Sequence, residues 1–244
     1  MSGHSKWASI KHKKGATDAK RGKIFTKMAS EITLAAREGA DPDMNFKLRL
    51  AVQKAKANNV PAVNIERAIA KGSGASGGAA LEELTYEGYG PAGVAIMARA
   101  LTDNRNRTGP DVKSTFTKHG GNLGATGSVD YLFEPKGVIV CKADANKDEA
   151  ELTAIDAGAT DIDDTEDQVV IYTAPADLES IKDALGDMVE SADVVMKASQ
   201  TILVDDEKKA QTLLRLIDAL DDLDDVISVT SNYDIPDAIL NAME

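Results

Sequence analysis

Between residues 137 and 204 the sequence alternates short apolar runs with amphipathic helical stretches. Short apolar runs are typical of buried strands, whereas apolar residues at three- and four-residue spacing are typical of helices. The predicted order is β-α-β-β-α-β, which defines the ferredoxin-like split motif. A chain with this order is expected to fold the stretch into one small sheet domain that carries two helices. The predicted strands span 138–142, 160–163, 168–173 and 194–203, and the predicted helices span 147–157 and 176–185.

The segment before this motif predicts a second sheet. Two strand-like runs flank the Gly-Pro step at residues 90–91, which favours a hairpin turn. A helix follows, with Thr108 as its expected N-cap because a threonine hydroxyl can accept from free helical N–H groups. The predicted elements are strands at 84–89, 94–101 and 129–133 and a helix at 108–119.

The residues after the motif predict one strong amphipathic helix at 207–220 and one strand at 226–230. A lone helix and strand need another element against which to bury their apolar sides. We therefore expect them to return to the sheet of residues 81–134. The domain formed by the motif is then inserted into the domain that precedes it.

The N-terminal part predicts three short helices. The first has an apolar stripe from Ile24 and ends at Gly39, the second opens at Asp41-Pro42 with Asp41 as N-cap, and the third runs from Pro61 to Gly72. Residues 72–80, GSGASGGAA, have the composition of a linker.

The predicted fold class is multidomain α+β: an N-terminal three-helix domain plus two α/β domains of ferredoxin-like type, the third inserted in the second. The predicted domains are residues 1–78 (a basic arm and the helices), 79–134 together with 205–244, and 135–204.

The charge of the chain is unevenly distributed. The net charge is −12, but residues 1–72 hold 15 Lys and Arg against 6 Asp and Glu, a net of +9, and the remaining residues carry a net of −21. A basic head is attracted to polyanions while an acidic body is repelled by them, so this distribution indicates a protein that orients itself on nucleic acid.

The N-terminal arm, residues 1–23, is expected to be mobile or extended, and residues 1–27 contain eight Lys and Arg but a single acid, Asp18. Basic side chains neutralise phosphates, and Trp or His can stack on an exposed base. Two other interpretations stay open: the arm is a solvated basic tail, and Trp7 packs the arm against the body. The predicted nucleic-acid-binding residues of this region are Lys6, Trp7, Lys11, His12, Lys13, Lys14, Lys20, Arg21, Lys23 and Lys27.

Arg105 and Arg107 complete the predicted binding set. They lie in the segment TDNRNRTGP, residues 102–110, between a predicted strand and a predicted helix start. The free N–H groups and dipole of a helix N-terminus favour an anion there, so the two arginines suit phosphate or RNA. The alternative is that this segment only turns the chain and that the arginines pair with nearby acids.

No pattern in the sequence indicates catalysis, a cofactor or a metal. The glycines at 88, 90 and 93 match a dinucleotide-binding fingerprint in letters, but they precede a strand rather than a helix and therefore indicate a turn. Glycine-rich residues 119–127 lack the Gly-Lys-Ser/Thr of a phosphate loop, and the acids at 161–167 lack the glycine of an EF-hand. Cys141 lies in an apolar strand without a neighbouring histidine and is expected to be a core residue. We predict a protein that is not an enzyme.

The bulk sequence predicts a cytoplasmic protein that does not associate with membranes. Its apolar runs are shorter than the ~20 residues that span a bilayer, and its start is basic and polar rather than signal-like. A single cysteine fits a reducing compartment.

Five strings of residues give the chain a specific resemblance. They are GHSKW at 3–7, DAKRGKIF at 18–25, YEGYGP at 86–91, DNRNRT at 103–108 and GGNLG at 120–124, and they occur in this order in the YebC family. The resemblance extends over essentially the whole chain. It implies a helical N-terminal domain and two α/β domains, the last inserted in the second.

The resemblance implies two related functions. Some members are described as DNA-binding transcriptional regulators, and others, including a mitochondrial relative, resemble translation factors that act on the ribosome and its RNA. The chain opens directly at the family motif without an Arg-rich transit extension, which favours a cytoplasmic member of bacterial type. A mobile basic arm suits folded ribosomal RNA as well as duplex DNA. A protein-binding adaptor, with the basic head on an acidic partner, is the third hypothesis.

Overall fold

The computed structural model describes residues 18–75, 77, 81–164 and 168–243, and of residues 18–21 and 237 it describes the backbone alone. The helices are α1 (Asp18–Ala35), α2 (Phe46–Ala57), α3 (Ala62–Gly72), α4 (Arg105–Lys118), α5 (Lys147–Asp156), α6 (Leu178–Leu185), α7 (Glu207–Asp221) and α8 (Asp237–Ala242). The strands are β1 (Glu82–Tyr89), β2 (Ala95–Thr102), β3 (Asn122–Leu123), β4 (Phe133–Cys141), β5 (Asp161–Asp164), β6 (Val169–Thr173), β7 (Val189–Ala198), β8 (Ile202–Leu203), β9 (Val226–Ser231) and β10 (Tyr233–Asp234).

The described residues divide into two compact units. The larger unit contains residues 18–133 and 198–243, and the smaller contains residues 134–197. The two units are described separately below.

The N-terminal helices of the larger unit pack around their own apolar core. Residues from all three helices are buried together: Met28, Ile32, Leu48, Val52, Ala55, Ile65 and Ala68. The Thr33 hydroxyl links two of these helices because it donates to the Ala68 carbonyl over 3.2 Å in a buried position. The three predicted helices are therefore confirmed.

Two helix starts differ from the sequence prediction. α1 begins at Asp18, so residues 18–23 of the predicted arm are helical, since an acid at the helix start and good helix formers after it favour that conformation. α2 begins at Phe46, with Asn45 rather than Asp41 as its N-cap. The Asn45 side chain accepts from the Leu48 N–H, whereas the Asp41 carboxylate accepts from the Asp43 N–H and closes a turn.

The sheet of the larger unit has the strand order β3-β1-β2-β9, with antiparallel pairing throughout. The predicted hairpin is confirmed, and its turn uses positive φ angles of 61° at Ala92 and 77° at Gly93. β9 pairs with β2, so the expected return of the C-terminal strand to this sheet is confirmed as well. α4 and α7 bury Phe116, Leu213 and Leu216 in the same core as the strands.

The smaller unit has the strand order β5-β6-β4-β7, with α5 and α6 between its strands along the chain. This is the predicted ferredoxin-like order, and Ile139, Ile171 and Ile181 are fully buried in this unit.

Two predicted strands, at 129–133 and 194–203, have the wrong bounds. Residues 130–132 form a 3-10 helix instead of a strand. β7 ends at Ala198, and the next residue, Ser199, donates its N–H to the Leu132 carbonyl over 2.8 Å.

Gly72 provides the first testable prediction, on packing. It is the last residue of α3 rather than a helix stop, and a Cβ atom there would overlap the Thr33 carbonyl oxygen and lie 2.7 Å from the Ala36 Cβ. We expect Gly72→Ala to lower the free energy of unfolding by about 1–3 kcal/mol, because α3 would have to move away from α1. Chemical denaturation measures this change. Gly22→Ala is the control, since nothing lies within 4 Å of its added Cβ and the exposed helix should gain about 0.5–1 kcal/mol. Equal effects of the two changes would contradict the prediction.

Candidate nucleic-acid interface

The predicted binding residues of the arm fall into three groups according to how much of each residue the structure describes. Six lie outside the described residues, so their contacts with phosphates and bases stay a prediction: Lys6, Trp7, Lys11, His12, Lys13 and Lys14. The backbone of Lys20 and Arg21 belongs to α1.

Lys23 and Lys27 have side chains with defined partners. They are four residues apart on α1 and therefore lie on one face of that helix. The Lys27 Nζ is 2.5 Å from an oxygen of Asp221, and the Lys23 Nζ is 3.2 Å from an oxygen of Asp222. Both predicted phosphate contacts are thus paired with acids at the end of α7.

The segment that contains Arg105 and Arg107 forms the first turn of α4 rather than a loop before it. Asn104 is the N-cap, and its side chain accepts from the Arg107 N–H. Thr108, predicted as the cap, is buried inside the helix. Because the first turn of a helix carries unpaired N–H groups, the two guanidinium groups lie where an anion is favoured.

Arg107 is engaged by acids of the protein. Its Nη2 donates to both carboxylate oxygens of Asp225 at 2.9 Å and to Asp103 at 3.3 Å. The hydrogen bonds and charge of Asp225 raise the pKa of the Arg107 guanidinium above its usual value. For this residue the alternative interpretation, pairing with acids, fits the structure better than phosphate contact.

Asp225 is the centre of a network that the sequence does not reveal. Its carboxylate also accepts from the hydroxyls of Thr108, over 2.6 Å, and Thr102, over 3.3 Å. These bonds attach the start of α4 to the segment between α7 and β9. Thr108 and Asp225 are 117 positions apart, and no local pattern relates them.

Arg105 differs from Arg107 in having an exposed side chain with no hydrogen bond or ion pair to the described residues. The Arg105 guanidinium lies close enough to Tyr86 to affect the pKa of its hydroxyl. Burial raises this pKa, and the positive charge of Arg105 offsets part of the rise. Arg105 is therefore the residue of the predicted pair that remains available to an external phosphate.

Glu87 organises the glycine-rich segment and was missed by sequence reasoning. Its side chain is 3% exposed and accepts from the backbone N–H groups of Gly127, Val129 and Asp130 at 2.7–2.9 Å. Burial by itself raises the pKa of Glu87, but these hydrogen bonds outweigh burial and hold the pKa below its usual value. The segment is thus a turn held by a carboxylate, in agreement with the predicted turn chemistry.

Several other charged and polar residues of the described part have partners within the protein or are buried. On α2, Lys47 pairs with Glu38 and Lys54 pairs with Glu31. Cys141 is buried, as predicted for a core residue. In the described part of the chain, no group of three His, Cys, Asp or Glu side chains is placed to hold a metal ion. Nor does any helix there have the length and apolar character needed to cross a membrane.

These observations define a multidomain α+β protein whose basic residues concentrate in its N-terminal part. The chain belongs to the TACO1/YebC family: residues 5–75 match the family's N-terminal domain, and residues 81–233 match its second and third domains. The resemblance to the YebC family and the predicted α+β fold class are both confirmed.

Relatives and a solved structure agree over nearly the full length. A protein of Moorella thermoacetica is 49% identical over 251 residues and covers 100% of both chains, and one of Chloroflexus aurantiacus is 53% identical with 96% of both chains covered. Each is named "Probable transcriptional regulatory protein". The crystal structure of a conserved hypothetical protein from Aquifex aeolicus has a TM-score of 0.85 and 47% identity, covering 95% of this chain and 97% of that one.

Proposed function

We propose that this protein is a nucleic-acid-binding regulator of gene expression that acts as a DNA-binding transcriptional regulator in the cytoplasm and catalyses no reaction. The observation that carries the proposal is the separation of charge, +9 in residues 1–72 against −21 in the rest. A basic head neutralises phosphates, and an acidic body orients that head toward them. The relatives with the name "Probable transcriptional regulatory protein" support transcription as the process that is regulated.

Arg105 is the described residue that best supports phosphate contact. It combines an exposed cation, the N-terminal turn of α4 and the absence of an acidic partner among the described residues. A guanidinium and free helical N–H groups on one turn attract the same phosphate oxygens. The arm and Arg105 would bind phosphates, while the α/β part would supply specificity or protein contacts.

A ribosome-associated factor that binds ribosomal RNA is the second candidate. Two tyrosines on the surface favour it: Tyr131 is 72% exposed and Tyr89 is 38% exposed. Exposed aromatic faces stack on unpaired bases, which folded RNA offers and duplex DNA does not. A protein-binding adaptor is the third candidate, and the experiment below separates it from the other two.

Binding of a DNA duplex and of a ribosomal RNA fragment should be measured side by side at several salt concentrations. If about five basic residues engage phosphates, the log–log salt slope is expected to be roughly −4.5 on duplex DNA and about −3.5 on single strands. The nucleic acid bound more tightly at physiological salt identifies the target class. Absence of salt-dependent binding to either would overturn the proposal in favour of the adaptor.

The same titration distinguishes Arg105 from its neighbour. We expect Arg105→Ala to make the slope shallower by about one unit without changing the melting temperature, because one phosphate contact is lost. Arg107→Ala is the matched control, and it should lower the melting temperature while leaving the slope nearly unchanged, because Asp225 loses its charged partner and keeps only the Thr102 and Thr108 hydroxyls. The reverse outcome would remove Arg105 from the interface.

A further inference from the structure

The segment that closes α7 places several acids in a row. Asp221 is the last residue of α7, Asp222 is its C-cap, and Asp224 and Asp225 follow before β9 begins. We call residues 221–225 the acidic loop. A helix C-terminus already carries partial negative charge, so acids at Asp221 and Asp222 are unfavourable for α7 itself. Their position therefore needs an explanation other than stability of the helix that carries them.

Two cations of α1 lie against this loop. Lys27 pairs with Asp221 at 2.5 Å, and Lys23 contacts both the Asp222 carboxylate, at 3.2 Å, and the Asp222 carbonyl oxygen, at 3.4 Å. The spacing of four residues on α1 matches the two consecutive acids at the end of α7. Both lysines belong to the set predicted to bind phosphates, so a carboxylate occupies the place expected for each phosphate.

The acidic loop is held in position from its other end. The Asp225 carboxylate accepts from Arg107, Thr102 and Thr108, and its carbonyl accepts from the Leu101 N–H at 2.9 Å. These bonds anchor the loop to the sheet and to α4. Asp221 and Asp222 are consequently presented to α1 by a fixed backbone.

The two lysine pairs differ in their exposure to solvent. The Lys27 side chain is 18% exposed and its Nζ is buried, so its pair with Asp221 is shielded from solvent. The Lys23 side chain is 46% exposed and that of Asp222 is 67% exposed. An ion pair at this exposure contributes little to stability and is screened by salt. A phosphate that approaches from solvent can therefore replace the Asp222 carboxylate at Lys23 at small cost.

We propose that Asp222 is an intramolecular competitor of nucleic-acid phosphates for Lys23. This inference rests on the proposed function. In the free protein the Asp222 carboxylate holds Lys23, and a nucleic acid must displace this carboxylate before it gains the contact. The competition weakens binding to polyanions in general, and it favours a ligand that also engages the arm and Arg105.

The test compares two single variants that remove equal charge. Asp222→Asn, the competitor variant, removes the competitor. Asp224→Asn is the matched control variant, because this exposed acid of the same loop has no hydrogen bond or ion pair to the described residues. Binding of a fluorescently labelled DNA duplex and of an RNA hairpin is measured for each variant and for the wild type, with melting temperatures as the check on folding.

We expect the competitor variant to bind about two- to fivefold more tightly than the wild type, and more tightly than the control variant. Nucleic acid should also protect Lys23 of the wild type from reductive methylation, as read by mass spectrometry. Equal affinities of the two variants would reduce the effect to net charge and overturn the inference. Failure of nucleic acid to protect Lys23 would also overturn it, even if the competitor variant melts at a lower temperature.

The binding measured for the wild type separates this inference from the proposed function. Salt-dependent binding by the wild type, with no difference between the variants, would overturn the competition alone. Absence of binding by all three proteins would overturn both.

Discussion

Deleting residues 1–14 is expected to weaken nucleic-acid binding strongly and to make its salt dependence shallower by about 3–4 units. The deletion removes Lys6, Lys11, Lys13 and Lys14, and each lost phosphate contact reduces the log–log slope by roughly 0.9 on duplex DNA. The remaining body is strongly acidic and repels polyanions, so it cannot compensate. Equilibrium titrations of the full-length and shortened proteins at several salt concentrations measure both effects.

Trp7→Ala is the control that separates stacking from charge. Stacking releases no counterions, so the slope should stay unchanged while affinity falls by about 1–3 kcal/mol if the ring stacks on a base. If Trp7 instead packs the arm against the body, the substitution should lower the melting temperature. A deletion of residues 1–14 that changes neither affinity nor slope would exclude the arm from binding and favour the adaptor function.

Glu87→Gln is expected to lower the free energy of unfolding by about 2–4 kcal/mol, the largest stability change we predict. The Glu87 carboxylate is buried and accepts from three backbone N–H groups between residues 127 and 130. A carboxamide has one acceptor oxygen and places an NH₂ against donors, so buried N–H groups lose their partners. Urea denaturation measures the change. Glu82→Gln, an exposed substitution on the same strand, should change stability by no more than about 0.5 kcal/mol.

The same carboxylate predicts a pH dependence. The pKa of Glu87 is lower in the folded than in the unfolded protein, so its contribution is complete above the unfolded pKa and is lost as pH falls through the folded value. The stability difference between wild type and Glu87→Gln should therefore be constant near neutral pH and shrink in acid. A difference that does not depend on pH would contradict a charged Glu87 in the folded state.

Much of the fold was predictable because its signals are local. The alternation of apolar residues and the Gly-Pro turn predicted the β1–β2 hairpin, and the β-α-β-β-α-β order predicted the sheet of residues 134–197. The predicted start of α4 was wrong because two residues near it are equally suited to cap a helix. Asn104 and Thr108 are both capping residues, and the helix begins after Asn104, whose side chain accepts from the Arg107 N–H, while the Thr108 hydroxyl donates to Asp225.

The candidate site was predictable only in part. Composition identified the basic residues and the arginine pair, but it could not tell which cations are neutralised inside the protein. Arg107 donates to Asp225 and Lys27 pairs with Asp221, whereas Arg105 has no such partner among the described residues. Glu87 went unnoticed because a glutamate in a strand has no pattern that marks it as buried.

The sequence by itself determined the element types, the family and the separation of charge, since each depends on residues that are neighbours along the chain or on a simple count. Only the tertiary structure decided which charges remain available, because Lys23 and Asp222 are 199 positions apart, and Arg107 and Asp225 are 118 apart. Whether a cation meets a carboxylate depends on how helices and strands pack. The interaction free energy of two surface charges is set by the distance between them and by their exposure to solvent, rather than by the residue types alone.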